Sequence, residues 1–209
     1  MTAAPTRAAV TQERIAAEAL ALLDEGPDET VLTMRSLAAR LGVQAPSLYA
    51  HVSGMDEIHD LVHARINSTI DVSVVEGSVD LADLAELGRR YRRAYRSHRV
   101  AASIIVSRSV NRDHALRVYE AIASFLTRCG VPQVHVMPLM ALFDNLVLGS
   151  AVEPFEAGFT GVSNDYVLHH PCLARALEAA DRAHVDDVAF EWGMSAYVEL
   201  VRSVAAIPR

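Results

Sequence analysis

The chain contains no lysine: all nineteen of its basic residues are arginine, a bias to which we attach no function. Cysteine is nearly missing too, with only Cys129 and Cys172, far apart. That does not indicate a disulfide framework and fits a reducing, cytoplasmic setting. Glycine and proline are sparse at ten and eight in 209 residues, and runs of alternating β-branched residues are rare. Alanine, leucine, arginine and glutamate dominate instead, which predicts an all-α protein. No uninterrupted apolar run approaches the ~18 residues of a membrane span, and "MTAAPTRAAV" lacks the apolar core of a secretory signal. No serine-centred elbow, glycine-rich phosphate loop or C-x-x-C is present, so no catalytic residue is expected.

What is present is uneven. The net charge is −7, yet residues 33 to 55 hold Arg35 and Arg40 and no acid at all. This window lies inside a segment, 1 to 66, with five arginines against nine acids. A helix is predicted from about Thr11 to Glu25, ended by Gly26 and Pro27, and a second begins after Thr33 as N-cap. Gly42 suits the left-handed position that ends a helix, and Pro46 suits the first turn of the next, near 45 to 50. Ser53 is expected to cap a fourth helix, with Asp56 and Glu57 in its first turn.

Two short helices joined by a tight glycine turn after a longer helix form a helix-turn-helix. The half that would enter a major groove reads "QAPSLYAH". Gln44 can pair with adenine, Ser47 can bond a base edge or phosphate, and Ala45 and Pro46 can pack on a thymine methyl. Tyr49, His51 and Arg35 suit the phosphate backbone, and a carboxylate here would repel it. The same helices without DNA would make a plain tri-helical core, and that alternative stays open at this point.

"LTMRSLAARLGVQAPSLYAHVSGMDEIHDLV" resembles the DNA-binding domain of the tetracycline-repressor family of bacterial regulators, above all the branch with L-G-V-x-x-P-T-L-Y-x-H-V. The resemblance implies an all-helical homodimer that reads a palindromic operator through Thr33, Arg35, Ala45, Pro46, Ser47, Tyr49 and His51. Two positions depart from the branch: Ala45 replaces a base-reading Gln, and Met55 replaces a phosphate-binding Lys. "YRRAYRSHR" and "NLVLGSAVEPFEA" resemble its effector-binding core, with Glu153 in the place of a Glu that acts through water on drug-bound magnesium. There, however, Ile105 replaces the metal-ligand His and Leu87 replaces a drug-binding Asn. Neither can do that work, so magnesium–tetracycline is not the expected ligand.

The organisation expected is a head at 1–66 and an effector-binding and dimerisation domain at 67–209. The effector pocket is expected among Tyr91, Tyr95, Ile105, Phe143, Asn145, Leu146 and Glu153, although each could equally be ordinary core. From Leu81 a helix should turn Leu84, Leu87, Tyr91 and Tyr95 inward, with Arg89, Arg92, Arg93 and Arg96 on a solvated face. Further helices are expected at about 112–128, over "QVHVMPLMALFDNLVLGSAVEPFEA", at 172–183 and at 186–206, with a loop at "GFTGVSNDYVLHHP". The last long helix and that around Met137 to Ala151 could form a four-helix bundle across a two-fold axis. His169, His170 and Cys172 lack the spacing of a metal site, and no cofactor or membrane partner is expected. The alternative of another class is a helical small-molecule-binding protein without sequence-specific DNA binding; an enzyme in the helical core is a further rival.

Overall fold

The computed structural model describes residues 9–107, 115–152, 155–159, 164–181 and 183–207. Eleven α-helices and no strand occur among them. The first four follow from local chemistry. Helix α1 (Gln12–Glu25) starts where the Thr11 hydroxyl accepts the Arg14 N–H, and it buries Ile15, Ala19 and Leu23. Helix α2 (Met34–Leu41) opens on a capping box in which Thr33 and Ser36 each accept the other's backbone N–H. It ends at Gly42, whose φ of 72° and ψ of 29° lie in the left-handed region that a side chain would strain. Helix α3 (Ala45–Leu48) begins with Pro46 in its first turn and is anchored by the fully buried Leu48.

Helix α4 (Met55–Ser68) corrects one expectation. Its N-cap is Gly54, without a side-chain cap. Ser53, one residue earlier, instead donates its backbone N–H and hydroxyl to the Glu57 carboxylate at 2.7 and 2.9 Å. The carboxylate reaches back to that residue, so the helix starts later than the serine suggests.

The remaining helices are α5 (Leu81–Arg96), α6 (Arg99–Ser107), α7 (Leu116–Arg128), α8 (Gln133–Val152), α9 (Asn164–His169), α10 (Pro171–Ala179) and α11 (Val185–Ala205). Helix α6 was not expected as a separate element, and α9 occupies what reads as loop. The start expected for α7 near Arg112 lies outside the described residues.

Two compact units result: residues 1–70 with 94–118, and residues 71–93 with 119–209. The division falls inside α5 and α7. In the first unit α1 packs on α2, α4 and α6, and α2 on α3. In the second, α8 packs on α11. Gly88 lies so close to α11 that a Cβ there would stand 2.4 Å from the Met194 methyl. Among the described helices only α8 is long and apolar enough to cross a bilayer. It nevertheless buries Leu139, Met140, Phe143 and Val147 within this unit and carries the buried Asp144, as a bundle's core helix does.

Candidate nucleic-acid interface and effector core

The recognition segment is built by one rule: what anchors it is buried, and what could read DNA is not. Leu48 and Val52 are in the core, whereas Gln44, Pro46, Ser47, Tyr49 and His51 are exposed and Ala45 is half-buried. Gln44 is the N-cap of α3 but makes no side-chain cap bond, which leaves its amide available to a base edge. Thr33 is exposed, although its hydroxyl is engaged in the capping box of α2. Arg35 is exposed one turn away, and no ion pair of it occurs among the described residues.

Arg40, the other arginine of the acid-free window, is differently placed. Its guanidinium donates to both oxygens of Glu25, at 2.5 and 2.7 Å, and to Glu18 at 2.8 Å. Those bonds raise its pKa further and hold Glu25 below the usual carboxylate range. The window therefore does have counter-charge, supplied by α1, and Arg35 is the cation it presents.

A small network fixes the turn after α3. Gln12 Nε2 donates to the His51 carbonyl at 3.1 Å and to Glu57 at 3.0 Å. With Ser53 bonded to the same carboxylate, α1, the turn and α4 are tied at one point. The Ser53 backbone and hydroxyl bonds lower the Glu57 pKa, so this acid is held in the network. Sequence reasoning missed Gln12 and Glu57 in this role; the Ser53-x-x-x-Glu57 spacing is the signal that could have found them.

The expected effector residues fall in both units. In the first, Tyr95 is buried and donates to Asn67 Oδ1 at 3.1 Å, and Ile105 is buried on α6. In the second, Tyr91 is buried and Phe143 lies beside it, 6.4 Å between ring centres, with Tyr197 5.5 Å away on the other side. Leu146 is half-buried, Asn145 is exposed on α8, and Glu153 lies outside the described residues.

Two residues absent from the expected set stand at the centre of the second unit. Asp144, 9% exposed, accepts from Tyr91 at 3.0 Å and from the Tyr119 hydroxyl at 3.3 Å, one to each oxygen. The only ionisable residue after His135 in the apolar α8, it was visible in the sequence as the one charge in an apolar run. Tyr197 is also polar and buried; its hydroxyl donates to the Leu139 carbonyl at 3.0 Å, and burial pushes its pKa well up. Among the described residues no three of His, Cys, Asp or Glu stand close enough to hold a metal ion.

Against known proteins, residues 80–199 match the model of the tetracyclin repressor-like C-terminal domain. An HTH-type transcriptional regulator of Saccharopolyspora erythraea is 31% identical over 145 residues, 69% of this chain and 61% of that protein. The HTH-type transcriptional repressor DrrR1 of Streptomyces coeruleorubidus is 27% identical over 149 residues, 68% of this chain and 53% of that one. The chain thus spans little more than half the length of these curated relatives. ActR of Streptomyces coelicolor is 25% identical, with a TM-score of 0.71 over 96% of this chain and 100% of its own. It has also been solved in complex with actinorhodin.

Proposed function

The chain belongs to the tetracycline-repressor family, and from that premise we propose that it is a dimeric, ligand-responsive repressor of transcription, released from a palindromic operator by a small apolar effector. The observation that carries this reading is the recognition segment: Gln44, Pro46, Ser47, Tyr49 and His51 exposed on a buried Leu48–Val52 anchor, beside an exposed Arg35. Residues 1–66 act as the head and 67–209 hold effector and partner. The protein works in the cytoplasm, without membrane or metal. The regulator and repressor names of the two curated relatives favour the same reading, and ActR's complex with actinorhodin favours a small-molecule effector.

Two heads must enter successive major grooves about 34–36 Å apart, so a small change of spacing prevents simultaneous docking. The helix that sets the head's position is α4, because the chain leaves the head through it. An effector that favours a different α4 position releases the DNA by shifting the population of states. Partner contact falls to the apolar residues left exposed on α8 and α11, among them Val134, Met137, Val188 and Trp192. They suit a four-helix bundle across a two-fold axis.

Selection from random duplex DNA tests the reading, and an enriched palindrome is the expected result. Tyr49→Ala should then weaken binding to all sequences by about tenfold, the worth of one or two backbone contacts. Ser47→Ala should instead redistribute preference at one base position, where a mismatch costs about 1–3 kcal/mol. Fluorescence anisotropy on the selected site and its single-base variants separates the two. No enrichment at low salt by a folded dimer would leave the second reading, a helical small-molecule-binding protein. The net charge of −7 and the pairing of Arg40 with α1 favour that rival.

A further inference from the structure

Asn67 closes the buried face of α4 at 2% exposure, an uncommon burial for an amide. Its Oδ1 accepts from Tyr95, and its backbone carbonyl accepts from the Arg117 guanidinium at 3.1 Å. The amide nitrogen is different. Asn67 Nδ2 is sealed from solvent and has no hydrogen-bond acceptor among the described residues, although a primary amide carries two donors. One turn earlier on α4, the buried His63 meets the Tyr95 ring edge-on, with 6.5 Å between ring centres.

A buried donor without an acceptor costs the folded state the desolvation of its N–H. The Tyr95 hydroxyl accounts for the amide oxygen, but neither the capping nor the packing of α4 calls for the nitrogen. We infer that Asn67 is the effector-sensing residue of α4: in the released state its Nδ2 donates to an oxygen acceptor of the effector. The ligand class is a flat or aromatic carbonyl compound, its oxygen on Asn67 and its body against the rings of His63 and Tyr95. This deepens the regulator reading and, for the role of α4, rests on it.

The sealing of the nitrogen supplies the coupling. An oxygen reaches Nδ2 only when the last turn of α4 shifts away from what now covers it. Binding and displacement of α4 are therefore one event, and the carbonyl has affinity for the displaced state alone. That difference in affinity is what a ligand needs in order to move an equilibrium. A hydrocarbon of the same shape fills space but offers the N–H nothing.

The test uses the full chain and two isosteric probes, acetophenone and α-methylstyrene, which differ by oxygen against methylene. Acetophenone should shift the Asn67 side-chain amide resonances and bind wild type about tenfold more tightly than Asn67→Leu, the worth of one enclosed hydrogen bond. α-Methylstyrene should bind both proteins alike, which also shows that the variant retains the site. If Asn67→Leu loses its melting transition, Asn67→Asp at about pH 8 keeps an oxygen for Tyr95 and removes the donating nitrogen; the same loss is expected. Equal affinity of acetophenone for wild type and variant overturns the inference. So does an unmoved Asn67 amide at saturation, or no saturable binding by folded wild type. Ketone binding without any selected operator would sink the regulator reading and spare the site, and the reverse pattern would do the opposite.

Discussion

Val188→Glu together with Trp192→Glu is expected to convert the chain to a monomer and to weaken operator binding by at least about a hundredfold. Trp192 is 74% exposed and Val188 43%, one turn apart on the same side of α11. Val134 and Met137 are similarly exposed on α8 of the same unit. Apolar exposure on this scale marks an interaction surface, and tryptophan is the residue most often found at the energetic centre of one. Across a two-fold axis each substitution counts twice. Two pairs of carboxylates would have to be buried without partners, a cost that exceeds the lost apolar contact.

A monomer holds one half-site, so it forfeits the contacts of the second head; about 2.7 kcal/mol corresponds to the hundredfold quoted. Sedimentation velocity gives the oligomeric state and anisotropy the affinity. Trp192 is also the only tryptophan in the chain, so dilution of wild type should shift its emission to the red as the dimer parts. A double variant that stays dimeric would place the partner face elsewhere.

The head was legible because its signals are local. Thr33, Gly42 and Pro46 act within a turn of themselves, and each does in the structure what its chemistry predicts. Elements whose reason is a distant partner were not legible. Arg40 reads as a cation without counter-charge in its acid-free window until Glu18 and Glu25, 22 and 15 positions earlier, close on it. Helix α8 is apolar on every side, so its periodicity does not say that Asp144 points inward while Asn145 stays outside. Ser53 and Gly54 are both acceptable caps, and only the reach of the Glu57 carboxylate decides between them. The buried face of α4 was read as far as Ile66; nothing in the period distinguishes the amide that follows it from a surface residue.

The clearest failure of periodicity is Arg92, and it carries a large expected effect. By spacing it belongs to a solvated arginine face with Arg89, yet it is 9% exposed. Its Nη1 donates to Asp187 at 2.8 Å, its Nη2 donates to the Asp186 carbonyl at 3.3 Å, and its guanidinium lies 4.5 Å over the Phe190 ring. Arg92→Ala should therefore lower stability by about 3 kcal/mol in urea unfolding. A charge-assisted hydrogen bond contributes about 1.5–3 kcal/mol and a desolvated cation–π contact about 2 kcal/mol. The two overlap in one side chain and do not add fully. Asp187 is 46% exposed, so water takes up its carboxylate and the loss stays below that of a stranded buried charge. Arg92→Met keeps most of the stem against Phe190 and should recover about half. Arg89→Ala is the control: Arg89 is 39% exposed and paired with Glu191, so its loss should stay within about 1 kcal/mol. Equal losses at Arg89 and Arg92 would mean that the Phe190 ring, rather than the cation above it, holds α5 to α11.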